Sequence, residues 1–454
     1  MTEALLIDPY QPYAELYISK LYRDHGIRTV ALHRNWRTRL VLEPRLPILR
    51  SRAVSAHYMI PAAGVEALAP TLRTRHDITA VLPHDEGAVW PLARMAELLD
   101  VDWSQPQAVA AFSSKGALKR LLRQNDPQTR VNQIGHVASA REVRDWVEQT
   151  GVSRFVLKPD DGSGNRGVAF FDADASDADL ADYFREVPGV ILAEEFIGGR
   201  EFWVNGQVDA AGVPVVTMIG TYDRREINGK ENVEFGARTI ASTTREFADL
   251  RTYAVRVMRA IGLRRSPFHL EAKIDEHGPC LIEVGARLCG DMLVLADEWQ
   301  HGPQVNLIDA AVHDYVTDAL RPPLQLDWDR ADAHPVGQVN GTASMAMVVG
   351  RAAGVTEVER MPGFLFWVKR PSIGDVVQPT VDLIAKPWGV CVWAATTTEL
   401  EAREAFVRES IQLTPKAALP PGLRSRLPVL RNRLQRYFGA RPRLYMVRGA
   451  RMNL

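Results

Sequence analysis

The stretch HLEAKIDEHGPCLIEVGAR, residues 269–287, limits the possible folds of this chain more than any other. The turn residues Glu276, His277 and Gly278 lie midway between Glu271 and Glu283, so a hairpin closed there sets the two carboxylates directly opposite each other. Strand side chains alternate between faces. Leu270, Ala272, Ile274, Ile282 and Val284 then share one apolar face, while His269, Glu271, Lys273, Glu283 and Gly285 share the other. Carboxylates paired across strands stand only about 5 Å apart and repel. A divalent, oxygen-seeking cation removes that cost, and Mg²⁺ commonly takes one or two carboxylates together with substrate phosphates. Arg287, four residues past Glu283, supplies a fixed cation for a phosphoryl or carboxylate oxygen. The alternative is that Lys273, on the same face, neutralises the pair without a metal.

Two further segments carry chemistry. In KPDDGSGNRGV (158–168) a strand delivers Lys158 into a loop with Gly162, Gly164 and Gly167. Glycines let successive backbone N–H groups turn toward one anion. The segment matches neither the phosphate loop GxxxxGK[ST] nor a GxGxxG that opens a helix. It runs from strand to strand, as a flap over a nucleotide would, although an ordinary glycine-rich hairpin has the same composition. In ILAEEFIGGREFWV (191–204) a buried strand ends in Glu194 and Glu195, followed by Phe196, Ile197, a Gly-Gly turn and Glu201. Such an extended edge can read adenine through its backbone while a carboxylate holds ribose hydroxyls. Solvated acids at a strand edge are the plainer explanation of this segment taken alone.

The rest of the chain frames these motifs. At about 100–200 residues per domain, 454 residues imply two to four domains, and 24% charged with 46% hydrophobic residues excludes disordered and collagen-like classes. Three cysteines, Cys280, Cys289 and Cys391, cannot build a disulfide framework and lack metal-ligand spacing, which fits a cytoplasmic protein. No apolar run reaches the length of a membrane helix, and the opening MTEALLIDPYQPYAEL does not read as a signal peptide. Strand–helix–strand periodicity over 4–33 and a further strand at 78–82 predict a small open α/β domain, with DPYQPY and PHDEG at the strand ends where such domains bind ligands. Ser113 and Ser114 precede a helix that begins near Lys115. The polar stretch 221–245, with Arg224, Arg225, Lys230 and Arg238, reads as a long loop able to close over substrate or as a solvated surface loop. Residues 415–454 hold ten basic and no acidic side chains. They read either as a patch for an acidic partner (a carrier protein, nucleic acid or membrane surface) or, more simply, as a terminal helix, LPVLRNRLQRYF, laid on an acidic body.

In this order, the helix lysine, K-P-x-x-G-x-G-x-x-G-V, E-E-F-I-x-G-x-E-F and H-x-E…E-x-x-x-R make the chain resemble the ATP-grasp superfamily, in its carboxylate–amine ligase branch (L-amino-acid ligase-like). The resemblance spans residues 4–413. It implies an α/β and α+β multi-domain fold: a preATP-grasp α/β domain (1–105), a small lid (106–190), a large ATP-grasp subdomain with the metal and substrate site (191–335), and a β-rich C-terminal subdomain (336–414) before the basic tail (415–454). It further implies ATP and Mg²⁺ (or Mn²⁺) as cofactors. Lys115 and Lys158 would contact the phosphates, and the lid loop with Gly162, Ser163, Gly164 and Gly167 would cover them. Glu194 would take the adenine amino group, with the backbone of Glu195 and Ile197 completing adenine recognition, and Glu201 would hold the ribose. Glu271 and Glu283 would ligate the metal, and Arg287 would stabilise an acyl-phosphate and its tetrahedral successor. His269 occupies a family position with no assigned role. Many relatives carry Asn two residues after the second metal glutamate, where this chain has Gly285, which leaves one or two metal ions open.

The activity so implied is ATP-dependent amide or peptide bond formation between small-molecule carboxylate and amine substrates, an amino acid among them. Loading of a carrier-bound or larger acceptor, motivated by the basic tail, is the alternative enzyme reading. Nucleotide binding without catalysis is the alternative class, and nucleic acid is the weakest candidate partner. Substrate pockets in this branch have no portable motif. His84, Asp85, Glu86, Met292 and Trp299 are the candidates, each equally able to be structural.

Overall fold

The computed structural model describes residues 2–418 apart from 11, 104–108, 110, 111, 113, 162–166, 291, 292, 318, 320, 383 and 384. The expected terminal helix and all of the basic tail after residue 418 lie outside the described residues, as do Gly162, Ser163, Gly164 and Met292.

The fold begins with a parallel sheet of β1 (Glu3–Ile7), β2 (Arg28–His33), β3 (Val54–Met59) and β4 (Ile78–Val81), in the order β3-β2-β1-β4. Every residue of β1 is buried, as expected of a strand covered on both faces. β3 did not stand out in the sequence, because SAHYM mixes polar and aromatic residues that are only half-buried. An antiparallel sheet follows, built from β5 (Ile134–Val137), β6 (Arg154–Pro159), β7 (Ala169–Asp172) and β8 (Ile191–Glu195) in the order β5-β8-β6-β7. Its own core holds Phe155, Leu157, Trp146 and Leu180.

The central sheet has eight strands and is antiparallel throughout. It runs β13 (Gly278–Gly285), β12 (Ser266–Asp275), β9 (Arg200–Val208), β10 (Pro214–Ile227), β11 (Lys230–Thr239), β14 (Val336–Asn340), β18 (Gly389–Trp393) and β16 (Phe364–Lys369). The C-terminal strands therefore continue the sheet that carries Glu271 and Glu283. A small sheet of β17 (Val376–Val377), β15 (Met347–Ala353) and β19 (Gln412–Ala418) completes the fold.

Two expectations change. Residues 221–245 are not a loop: Tyr222 and Arg224 lie on β10, Lys230 and Arg238 on β11, and helix Arg245–Ile261 starts at the end of the stretch. The many charged residues hide a strand pair because one face is a polar cleft and its hairpin turn, Asn228-Gly229, has positive φ at both residues. Ile282 also leaves the apolar face assigned to it. The register pairs Glu271 with Glu283 and then Ala272 with Leu281, so a bulge at Ile282 puts Leu281 in the core.

Gly220 makes room for a large side chain of the neighbouring strand in the central sheet. A Cβ at Gly220 would sit 2.1 Å from the Trp203 ring and 2.3 Å from the Arg238 carbonyl oxygen. Trp203 therefore lies across β10, 1% exposed, and seals the sheet. Gly220→Ala is expected to destabilise the protein by on the order of 3 kcal/mol through overpacking, read as a lower melting temperature. An unchanged melting temperature would contradict this packing.

Candidate active site

Lys115 and Lys158 come from different elements, and one aspartate holds them together. Ser114 caps helix Lys115–Asn125 by accepting from the Ala117 N–H. Asp160, two residues past Lys158, accepts from the Gly116 N–H at 2.8 Å, and its carbonyl accepts from the Lys115 N–H at 3.1 Å. The helix N-terminus is thereby stitched to the end of β6. Asp160 was not singled out in the sequence, although it stands in the KPDD run.

The four-stranded and eight-stranded antiparallel sheets face each other across one cleft. Lys115, Lys158, Glu194, Glu195, Ile197, Glu201, Glu271, Glu283 and Arg287 all line it. Ile282, turned by the bulge, also reaches this cleft. Among the described residues of the lid loop, Gly167 has φ +71°, and its carbonyl accepts from the Tyr183 hydroxyl at 2.7 Å. Gly199, in the Gly-Gly turn, has φ +78°, and a Cβ there would overlap the Ile274 carbonyl, so this corner requires glycine.

Glu271 stands opposite Glu283. Lys273 does not neutralise them, because its ammonium donates to the Ile197 carbonyl at 3.1 Å and lies over Phe196. Other groups hold the glutamates. The Glu271 carboxylate accepts from the Tyr222 hydroxyl at 2.7 Å and lies 3.5 Å from His269 Nε2. Burial opposes its ionisation, but His269, Arg224 and Tyr222 overcome that cost and keep its pKa well below the usual carboxylate range. Lys115 lies 3.7 Å from Glu283. His269 thus gains a place, since its Nδ1 meets Asn205 Oδ1 at 2.7 Å while Nε2 meets the Tyr222 hydroxyl at 3.2 Å.

At the other end, Glu194 is only 3% exposed and receives two ammonium groups, Lys119 and Lys158, each at 2.8 Å. Burial raises its pKa, yet the two lysines bring it down to about 2. Glu195 donates its N–H to the Gln133 carbonyl, and its carbonyl accepts from Asn132 at 2.9 Å. The Ile197 N–H has no partner among the described residues and remains a donor for a ligand. Glu201 accepts from Arg224 Nη2 at 2.6 Å and Nε at 3.1 Å. Of Arg224, Arg225, Lys230 and Arg238, only Arg224 lines the cleft among the described residues: Arg225 pairs with Asp223, Arg238 pairs with Glu401 and Glu404, and Lys230 is exposed.

Lys119, Asn132, Tyr222 and Asn205 were missed in the sequence, while Arg224 reads there only as part of a loop. Lys119 follows Lys115 at i+4, the spacing that puts both on one helix face, and was the most recoverable of them. The substrate-pocket candidates separate. His84 Nε2 donates to the Asp8 carbonyl at 3.1 Å, Asp85 caps helix Glu86–Leu99, and Trp299 packs on Trp393 and His334. Glu86 meets Arg287, with its Oε2 2.7 Å from Arg287 Nε.

A family model described as the ATP-grasp domain matches residues 152–295. The chain carries an ATP-grasp domain. Dapdiamide A synthase from Enterobacter agglomerans is 28% identical over 273 residues, which span 58% of this chain and 63% of that enzyme, less than two thirds of its length. Solved structures superpose over nearly the whole chain. An L-amino acid ligase from Bacillus licheniformis matches with TM-score 0.69 at 16% identity, covering 92% of this chain and 98% of its own. Phosphoribosylglycinamide synthetase from Anaerococcus prevotii matches with TM-score 0.66 at 13% identity, covering 92% and 100%. The architecture is the ATP-grasp fold.

The buried Lys119–Glu194–Lys158 cluster of this ATP-grasp cleft has a pH signature. The folded pKa of Glu194, about 2, lies below its ordinary value of 4.5, so the stabilisation is complete above pH 4.5 and is lost as pH falls toward 2. Lys119→Met removes one partner of a buried pair and should cost about 3–5 kcal/mol at pH 7. Thermal melts should show the gap from wild type narrowing between pH 4.5 and 2. A gap independent of pH would refute the pairing.

Proposed function

We propose that this protein is an ATP-dependent carboxylate–amine ligase that forms an amide or peptide bond through an acyl-phosphate and releases ADP and phosphate, with an amino acid as one substrate. The observation that carries the proposal is the placement of Glu271 and Glu283 in a cleft shared with Lys115, Lys158 and Arg287. The kinship with dapdiamide A synthase and the fold shared with an L-amino acid ligase support the same reading.

The donor set fits Mg²⁺ or Mn²⁺ bound with a nucleotide. Glu271 is held ionised, Glu283 faces it, and both offer the oxygen donors that such cations select. Glu271 and Glu283 would hold the ion, and phosphate oxygens of the nucleotide would supply further ligands. When bound, the ion supplies charge neutralisation on the transferred phosphoryl group.

The chain's own residues do the rest. Lys115 and Lys158 hold phosphate oxygens as point charges. Glu194, tied to Lys158, fixes the direction of that ammonium and borders the adenine position, where the Ile197 N–H is the open donor. Glu201 faces the ribose once Arg224 yields one of its two hydrogen bonds. The substrate carboxylate oxygen attacks the γ-phosphorus, and the bond to the β-bridging oxygen breaks with its electron pair leaving on ADP. The amine then forms the C–N bond and loses a proton, and phosphate departs with the C–O electron pair. Arg287 lies where negative charge develops in both steps, and its burial among Glu86 and Glu283 keeps it fixed. Positioning and electrostatics carry the catalysis, as in phosphoryl transfer generally. Cytoplasmic residence suits the three free, buried cysteines, and among the described residues no helix is long and apolar enough to cross a membrane.

The test is ADP release from ATP and Mg²⁺ with pairwise mixtures of amino acids and other small carboxylates and amines. Glu283→Gln should lower turnover at least on the order of 100-fold while leaving the melting temperature near that of wild type. Undiminished turnover would remove the metal role of Glu283.

A further inference from the structure

Glu86 holds Arg287 in place, yet one of its carboxylate oxygens serves none of the roles above. It is the first residue of helix Glu86–Leu99, presented by the Asp85 cap at the edge of the N-terminal sheet. Its carboxylate crosses to the ATP-grasp domain, where Oε2 accepts from Arg287 Nε at 2.7 Å. A Cβ on residue 285 would fall 2.7 Å from that same oxygen, so Gly285 is what leaves room for it. The second oxygen, Oε1, takes no hydrogen bond among the described residues, and the side chain is 24% exposed. Oε1 is not itself buried, so this oxygen is open to a cation that a ligand brings. Lys115 is drawn to Glu283, and Arg287 is already engaged through Nε.

We propose that Glu86 anchors the α-ammonium group of an amino acid whose carboxylate is activated beside Arg287. The inference rests on the ligase reading and specifies its carboxylate substrate. In an α-amino acid one carbon separates the ammonium from the carboxylate. A site that reads both must therefore hold an anion and a cation within a few ångströms of each other, as Glu86 Oε2 and Arg287 Nε are. The two metal-facing glutamates are unsuited to the task, because their charge is used against the cation and phosphates. A carboxylate substrate without an ammonium group would leave Glu86 enclosed with its second oxygen unpaired, so the same contact rejects desamino acids.

The experiment measures kcat/KM for ADP release with an amino acid that the substrate screen identifies and with its desamino analogue, in wild type, Glu86→Gln and Glu86→Asp. Glutamine keeps an oxygen acceptor for Arg287 and removes the charge, while aspartate keeps the charge. Calorimetric ADP binding checks that each variant is folded. The preference for the amino acid over its analogue should fall on the order of 10- to 100-fold in Glu86→Gln, mainly through KM, the range expected for a charge-assisted hydrogen bond. Glu86→Asp should retain part of it. An equal loss on both substrates would reduce Glu86 to a positioning residue for Arg287 and overturn the proposal. A wild type that uses both substrates equally well would overturn it while leaving the ligase reading intact. A wild type with no carboxylate-dependent ADP release would remove the ligase reading itself.

Discussion

Everything in the cleft answers to the repulsion between two carboxylates paired across a hairpin. Glu271 and Glu283 stand in register on β12 and β13, on the face of the sheet turned away from the core. Without compensation that pair costs stability. The protein supplies partial compensation from three directions: Tyr222 and Arg224 from β10, His269 from β12 itself, and Lys115 from the helix behind the four-stranded sheet. These partners hold Glu271 ionised and still leave both carboxylates open to a cation. The cleft is therefore set up for a charged ligand before one arrives.

The same logic orders the cleft along its length. Glu194 is locked by two lysines, Glu201 by Arg224, and Arg287 by Glu86. Each is a short, enclosed ion pair that fixes a side chain needed at a defined place. Such pairs gain little net stability against their desolvation cost. Their value lies in pre-orientation, which is what phosphoryl and acyl transfer demand.

The site was legible in the sequence wherever spacing alone determines geometry. The hairpin parity placed His269, Glu271, Lys273, Glu283 and Gly285 on one face, and the structure puts all five at the cleft. The bulge at Ile282 escaped because it offsets a turn one residue shorter than expected, with Asp275 paired to Gly278, so that Glu271 meets Glu283 either way. The β10–β11 pair escaped because a strand whose face lines a polar cleft loses the alternation that identifies strands. Tyr222 was hidden with it, and Arg224 reads from the sequence as a loop residue. Lys119 and Asn132 escaped for another reason: their partner, Glu194, is 75 and 62 residues distant, and pairing at that range is set by the fold and not by local pattern. The fold itself was legible through the order of its motifs, while β3 shows the limit of periodicity for a half-buried strand.

The central claim is that Glu271 and Glu283 share a magnesium–nucleotide complex, and calorimetric titration of the protein with ADP tests it without any knowledge of the substrates. With Mg²⁺ present, ADP should bind at least about tenfold more tightly than in EDTA, a difference near 1.4 kcal/mol, and Glu271→Gln should erase that gain. ADP bound as tightly in EDTA as in Mg²⁺, or a metal effect untouched by Glu271→Gln, would contradict the account.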